Sequence, residues 1–164
     1  MELKHEREID SYLTFIMNSE HFAVSVKKVT ELLEMLPVTK VPKSAEFMRG
    51  VVNLRGAVVP VIDTRIKFLL PQVADTIDTC IVVMNVDVKD EIIKVGAIVD
   101  SVSEVIEVAD DQILPLPAIG NKERSQFIHG IIKLEEKFIM VLDVDKVFSG
   151  EELISLTQAE LEEN

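Results

Sequence analysis

Short runs of β-branched and aliphatic residues, each closed by glycine, proline or a polar turn, follow one another along most of the chain. The runs at 12–17 and 21–26 flank one polar turn, and those at 79–86 and 92–100 flank another, which predicts two β-hairpins. The stretch 47–68, FMRGVVNLRGAVVPVIDTRIKF, predicts a strand, a tight turn and a second strand. This succession of short strands and turns is typical of an all-β fold.

The pattern of 47–68 returns without a gap at 127–148 as FIHGIIKLEEKFIMVLDVDKVF. The segments 26–35 (VKKVTELLEM) and 99–108 (VDSVSEVIEV) are also alike, and they precede the two similar hairpins in the same order. Self-similarity at a fixed offset indicates one supersecondary unit that is used twice. Positions that are alike in both copies are then those that the fold requires.

The two copies differ at the hairpin tip, which is the strongest functional clue in the chain. In the first copy Gly56 can adopt a positive φ without steric cost, as a two-residue hairpin turn requires. Arg55 is therefore expected at the tip, where its side chain can reach solvent or a partner. The second copy replaces Asn53 by Lys133, Arg55 by Glu135 and Gly56 by Glu136. The fold does not require these three residues of the first copy.

Each copy holds enough short strands for a small antiparallel barrel of five strands, and closing a sheet removes its exposed edges. The polar stretch 71–78 separates the copies and predicts a first barrel at 11–75 and a second at 76–149. Barrels of about 70 residues are marginal alone, so the two are expected to pack on a shared apolar interface. Residues 150–164 form an acidic tail, in which a capping-box pattern favours a C-terminal helix.

Short helical turns are predicted between the strands. Apolar residues at helical spacing favour a turn within 27–35, and the similar segment 101–108 repeats it. Asp63 is a plausible N-cap for a short helix that ends just before Pro71.

Two apolar stripes with a spacing of three residues accompany these turns. They consist of Val26, Val29 and Leu32 in the first copy and of Val99, Val102 and Val105 in the second. One interpretation is that both stripes cover barrel ends and form the core between the barrels. The other is that they line a groove that receives an amphipathic helix of a partner. Periodicity alone leaves both interpretations open.

The charge balance narrows the range of partners. The formal net charge of the 164-residue chain is -12, which opposes binding to nucleic acid or to an anionic membrane surface. No apolar run approaches the roughly 18 residues that span a bilayer, so no direct membrane insertion is expected. The N-terminal residues lack the apolar segment of a secretory signal. A single cysteine, Cys80, cannot form an internal disulfide, and the chain is expected to be cytoplasmic.

No constellation for catalysis or cofactor binding stands out, and neither a cofactor nor a metal is expected. The three histidines show no ligand spacing. A small hydrolase that uses Cys80, or Asp63 together with Asp143, remains an alternative. However, these aspartates occupy equivalent places in the two copies, so helix capping explains both more simply.

The run FMRGVVNLRGAVVPVID, together with GAIVDSVSEV and the later G-x-x-x-L hairpin, resembles the CheW family of bacterial chemotaxis over about 11–150. The resemblance implies two packed five-stranded SH3-like β-barrels in a non-enzymatic adaptor. Such adaptors bind the cytoplasmic tip of chemoreceptors and the regulatory domain of the histidine kinase CheA. They hold both partners in an array at the inner membrane face.

The resemblance also implies functional positions. Coupling to kinase and receptor is expected from the hairpin residues Gly50, Asn53, Leu54, Arg55 and Gly56. The receptor groove is expected to be formed by Leu13, Val26, Val29, Glu31, Leu32 and Val99. Thr64 departs from the leucine that is more usual after the aspartate. The same module also occurs in CheV, in the regulatory domain of CheA, and in paralogous adaptors of pathways unrelated to motility.

Overall fold

The computed structural model describes residues 8–71, 73–116 and 126–148. In these ranges the chain forms mainly β-strands, with two one-turn α-helices, so the predicted all-β class is confirmed. The first strands are β1 (Ile9–Met17), β2 (Glu20–Ser25), β3 (Val29–Glu34), β4 (Met48–Leu54) and β5 (Ala57–Asp63). The later strands are β6 (Cys80–Val88), β7 (Glu91–Val99), β8 (Ser101–Ala109), β9 (Ile113–Leu114), β10 (Ile128–Leu134) and β11 (Lys137–Leu142). The helices are α1 (Thr64–Lys67) and α2 (Val144–Val147).

The strands form two sheets of the same layout. One has the order β8-β1-β2-β11-β10-β9, and the other has the order β3-β6-β7-β5-β4. We call them the six-stranded and the five-stranded lobe. Each lobe contains one parallel pair, β2 with β11 and β5 with β7, among otherwise antiparallel neighbours. The extra strand β9 has only two residues, and its counterpart in the other lobe is a single bridge between Thr39 and Val51.

Each lobe takes strands from both halves of the chain. The chain passes between the lobes at a 3-10 turn, Val26–Lys28, and again at Asp100, the one residue between β7 and β8. The stretch 71–78, interpreted above as the boundary between barrels, connects α1 to β6 inside the five-stranded lobe. The lobes therefore do not coincide with the segments 11–75 and 76–149. The predicted C-terminal helix at 150–164 lies outside the described residues.

The helical turns predicted at 27–35 and 101–108 are wrong over most of their length. Only Val26–Lys28 is helical, as a 3-10 turn, and strands β3 and β8 occupy the remainder. A β-bulge in each strand explains the misleading spacing of three. In β3 the register shifts between Val29 and Glu31. The extra residue restores Val29 and Leu32 to the same face of the sheet.

The bulge in β8 repeats this arrangement. Val102 lies opposite Phe15 and Val105 lies opposite Leu13, with a register shift between these two partners. A buried hydroxyl holds the irregular backbone: Thr14 Oγ1 donates to the carbonyl oxygen of Glu104 at 2.7 Å and accepts from its amide at 3.0 Å. The apolar stripes are thus produced by bulged strands rather than by helices.

The apolar core has three parts. A large central cluster contains side chains from both lobes, and a smaller cluster fills each lobe separately. Strand β6 contributes to two of them, since Val82 and Met84 lie in the central cluster while Ile81 and Val83 lie in that of the five-stranded lobe. Burial of both faces explains why β6 is almost continuously apolar.

The two similar hairpins meet at the central cluster. The rings of Phe68 and Phe127 stack at a centroid distance of 5.5 Å. Asp63 caps α1 by accepting the Arg65 amide at 3.1 Å, and Asp143 caps α2 by accepting the Lys146 amide at 3.3 Å. Both predicted capping roles are confirmed, and the two carboxylates lie at the ends of different lobes.

Candidate partner-binding surface

The hairpin between β4 and β5 presents Arg55 at its tip. Arg55 and Gly56 have φ values of 52° and 84°, so both residues lie in the left-handed region that a tight hairpin turn requires. The side chain of Asn53 reinforces the turn, because its Oδ1 accepts the Gly56 amide at 2.9 Å. The local sequence therefore fixes the turn, and the turn places Arg55 beyond the sheet.

Arg55 is exposed, and an ion pair holds its side chain in one orientation. Its two terminal nitrogens donate to the two carboxylate oxygens of Glu31 at 2.8 and 2.7 Å, in a parallel fork. The side chain of Arg55 is 73% exposed and that of Glu31 is 21% exposed. The hydrogen bond from Arg55 lowers the pKa of the Glu31 carboxyl and raises that of the guanidinium. An ion pair this exposed adds little to stability, so its clearer effect is to orient the guanidinium.

The resemblance implied a place for Glu31 at the groove, but nothing in the sequence revealed its pairing with Arg55. The pairing joins the tip of one hairpin to the edge strand β3 of the same lobe. The second copy has Glu135 at the place of Arg55, with a φ of 57°. The first residue of both turns therefore lies in the left-handed region, and the two tips differ in the charge that this residue presents.

The two glycines of the motif have different roles. A Cβ at Gly50 would lie 2.2 Å from the carbonyl oxygen of Thr39, whereas a Cβ at Gly56 would meet nothing within 4 Å. Gly130, the counterpart of Gly50, is similarly crowded by the carbonyl oxygen of Leu114 at 2.8 Å. Gly50 is thus present because a neighbouring backbone passes close to it and because its φ is 150°.

The groove residues suggested by the resemblance divide by burial. Leu13 and Val99 are 5% and 1% exposed and belong to the central cluster. Val29 packs partly against the same cluster, while Val26 and Leu32 are 37% and 48% exposed. The surface available to a partner is therefore the edge formed by Val26, Val29 and Leu32. Leu13 and Val99 support it from within.

The sequence patterns did not predict the buried cluster of charged residues around Arg65. Arg65 is 2% exposed, and its Nε and Nη2 donate to the two oxygens of Asp63 at 2.9 and 3.0 Å. It also donates to Asp75 at 3.1 Å and to Asp100 at 2.9 Å. Arg49 completes the cluster with contacts to Asp63 at 3.1 Å and Asp75 at 2.9 Å. The charge of Arg49 is therefore largely neutralised by these two carboxylates.

This cluster argues against acid–base chemistry at the aspartates. Burial alone raises the pKa of the Asp63 carboxyl, but Arg65 and then Arg49 lower it more, so the net pKa is below its ordinary value. A carboxylate held ionised in this way is a structural anion. Burial also raises the pKa of the Cys80 thiol, which disfavours the reactive thiolate.

Among the residues that the structure describes, no group of three or more histidine, cysteine, aspartate or glutamate side chains is arranged to hold a metal ion. Within the same residues no helix is long and apolar enough to cross a membrane.

Comparison with known proteins places the chain in a family. Residues 11–152 match the CheW-like domain. The chemotaxis protein CheW of Klebsiella aerogenes is 32% identical over 142 residues, which cover 87% of this chain and 83% of that protein. The CheW of Bacillus subtilis is 32% identical over 142 residues, covering 87% and 88%.

The solved structures agree. The crystal structure of the scaffolding protein TtCheW from Thermoanaerobacter tengcongensis superposes with a TM-score of 0.78 at 28% identity, covering 88% of this chain and 96% of that one. Because the relatives are CheW proteins, CheV and a kinase regulatory domain are not favoured. The chain belongs to the CheW family, the coupling adaptors of bacterial chemotaxis.

Proposed function

We propose that this chain joins the cytoplasmic tip of chemoreceptors to the regulatory domain of the kinase CheA, as a scaffold that catalyses no reaction. One observation carries the proposal. The hairpin tip of the five-stranded lobe holds an exposed guanidinium in a fixed direction, and the equivalent tip of the other lobe carries Glu135 instead. A fixed and exposed Arg55 that stability does not require is suited to pair with a partner's carboxylate.

The two partners are assigned to different parts of the same lobe. The kinase is placed at the tip, where Arg55 is joined by the half-exposed side chain of Val58, which lies across from Asn53 in the hairpin. The receptor is placed along the edge of Val26, Val29 and Leu32. A row of aliphatic side chains at one edge fits the apolar face of a receptor helix.

The net charge of -12 bears on specificity. An acidic protein repels acidic partners in general, so a local cation selects for a carboxylate at the correct place. We place the assembly in the cytoplasm, recruited to receptor arrays at the inner membrane face, because that is where the receptor tips and the kinase meet.

The role of Arg55 can be tested by exchanging the two charges of the ion pair. Arg55→Glu alone leaves Glu31 facing a carboxylate, and the double variant Arg55→Glu with Glu31→Arg restores the pair with opposite polarity. If Arg55 contacts the kinase, both variants should lose about tenfold or more of receptor-dependent kinase activation. Kinase activity in receptor vesicles provides the measurement, and circular dichroism checks the fold.

Restored kinase activation in the double variant would contradict this role. If the double variant activates the kinase as well as the wild type, the ion pair matters only for the shape of the lobe. A carboxylate of the partner is then not required at Arg55.

The receptor edge can be tested with a matched pair of substitutions. Leu32 and Val105 are equivalent in the two copies and are 48% and 58% exposed. Leu32→Glu should weaken binding to a receptor fragment roughly 10- to 100-fold, because it removes an apolar contact and buries a carboxylate. Val105→Glu should leave the affinity within about twofold of the wild-type value. Calorimetry measures both, and equal weakening by the two variants would contradict the assignment.

A further inference from the structure

The two crossovers between the lobes are held in related ways. At each crossover one residue forms an ion pair with the short helix that follows one of the two similar hairpins. At one crossover Asp100 pairs with Arg65 of α1, and at the other Lys28 pairs with Asp145 of α2. Arg65 and Asp145 occupy equivalent positions of the repeat, so the same architectural contact is made twice with the charges reversed.

The contact at Asp100 is enclosed on its arginine side. Arg65 is 2% exposed and Asp100 is 26% exposed, and Asp63 and Asp75 bind the same guanidinium. The other oxygen of Asp100 accepts the Asn18 amide at 2.8 Å, which ties in the turn between β1 and β2. Releasing this crossover would leave Nη1 of the buried Arg65 without its carboxylate, which is costly.

The contact at Lys28 has the same form but is open to solvent. Lys28 Nζ reaches the two oxygens of Asp145 at 3.0 and 2.9 Å, and the exposed fractions of the two side chains are 34% and 37%. Asp145 Oδ1 also accepts the Asp87 amide at 2.9 Å, which ties in β6. A half-exposed pair is screened by salt and contributes less than an enclosed one.

We propose that the unequal enclosure of these two contacts makes a hinge: the lobes separate first at Val26–Lys28 and stay joined at Asp100. The backbone supports this asymmetry. The Val26–Lys28 turn is closed by the Val29 amide bonding to the carbonyl of Val26, within the turn itself. At the other crossover the Asp100 amide bonds to the carbonyl of Ile16 at 3.0 Å, in the opposite lobe.

The hinge concerns the protein on its own and stands whether or not the proposed partner assignments are correct. The mobile crossover would carry Val26 and lead directly into Val29, so opening would change the edge that we propose for a receptor helix. The hairpin tip at Arg55 would not move relative to its own sheet.

Amide hydrogen exchange on the full chain, followed by NMR, tests the hinge. The reporters are the amides of Val29 and Asp100, one at each crossover. Raising the salt concentration from 20 mM to 500 mM shortens the Debye length to a few ångströms, which screens the half-exposed pair. Exchange at Val29 should then accelerate about two- to fivefold, and exchange at Asp100 should stay unchanged.

Variants connect the effect to the named contact. Lys28→Met should give fast exchange at Val29 already at low salt and remove the salt dependence. Lys27→Met is the matched control, because Lys27 lies in the same turn, is 79% exposed and pairs instead with Asp10. It should leave both reporters unchanged. Asp100→Ala should reverse the order, so that the amide at position 100 exchanges faster than that of Val29.

Three results would overturn the hinge. The first is an equal salt response of the two reporters, and the second is an effect of Lys27→Met as large as that of Lys28→Met. The third is an Asp100→Ala variant that is folded and still exchanges faster at Val29.

Discussion

At the scale of single residues, identical amino acids in one motif are present for different physical reasons. Gly50 is required because the Thr39 carbonyl oxygen occupies the space of a Cβ and because its φ is 150°, whereas Gly56 is required only by its φ of 84°. Arg55 and Arg65 likewise share a residue type but differ in the surroundings of their charge. One guanidinium is exposed at a tip and the other is enclosed by three carboxylates. Residue type alone does not separate these roles.

Substituting the two glycines should show this difference as free energy of unfolding. Gly56→Ala adds only the strain of a left-handed residue, about 1–2 kcal/mol. Gly50→Ala combines strain at a φ of 150° with a collision against backbone that cannot rotate away, and it should cost about 3 kcal/mol or more. Urea denaturation measures both. Equal losses would mean that the Thr39 segment shifts easily and that packing does not explain Gly50.

At the scale of elements, β-bulges account for a spacing that resembles a helix. The bulged edges β3 and β8 keep apolar side chains three residues apart on one face of a sheet. In β8 the irregular backbone depends on Thr14, which is 3% exposed and makes two hydrogen bonds to Glu104. A helical interpretation of such spacing fails because periodicity over three positions cannot separate a helix from a bulged strand.

The bulge in β8 can be tested by removing one hydroxyl. Thr14→Val retains the shape of the side chain and leaves the amide and carbonyl of Glu104 without their buried partner, which should cost about 1–3 kcal/mol. Thr14→Ser retains the hydroxyl and should lose only about 0.8 kcal/mol for the missing methyl group. Thermal unfolding compares the two. A valine variant as stable as the serine variant would show that the bulge does not need the hydroxyl.

At the scale of the whole molecule, the lobes are joined by a shared apolar cluster and by ionic contacts at the crossovers. The cluster around Arg65 brings together α1, the segment before β6, and the crossover at Asp100. Its carboxylates Asp63 and Asp75 both have pKa values below their ordinary range, the first chiefly through Arg65 against burial and the second chiefly through Arg49. Stability should therefore depend on keeping these groups ionised.

The pH dependence follows from the sign of these shifts. A carboxyl with a lowered pKa in the folded state stabilises fully above the ordinary aspartate pKa of about 3.9 and loses this contribution as the pH falls below it. The difference in unfolding free energy between wild type and Asp63→Asn should be largest near pH 7 and shrink as the pH falls below about 4. Urea denaturation at several pH values provides the measurement. A constant difference would mean that Asp63 does not titrate with unfolding.

The sequence was sufficient for the features that depend on nearby residues. The apolar patterns of 47–68 and 127–148 predicted both of the similar hairpins, and Gly56 predicted the turn at Arg55. The confirmed caps at Asp63 and Asp143 are also local, since each bonds an amide two or three residues away.

Features that depend on distant partners could not be predicted in this way. Strand β1 pairs with β8 and strand β2 pairs with β11, both far along the chain. The local pattern had assigned β1 and β2 to a barrel formed by the first copy alone. The carboxylates around Arg65 come from separate elements, so no spacing reveals them. Pairing between strands is decided by the packing of whole faces, which a single sequence does not display.

The central claim is that one protein joins two partners through separable surfaces, and a three-component sedimentation assay tests it most directly. Receptor vesicles, this protein and CheA are mixed, and the bound amounts of both soluble proteins are measured after pelleting. The account predicts that Arg55→Asp pellets normally with the receptor but carries about tenfold less kinase, and that Leu32→Glu leaves both in the supernatant. Kinase recruitment at the wild-type level by folded Arg55→Asp, or by folded Leu32→Glu, would contradict it.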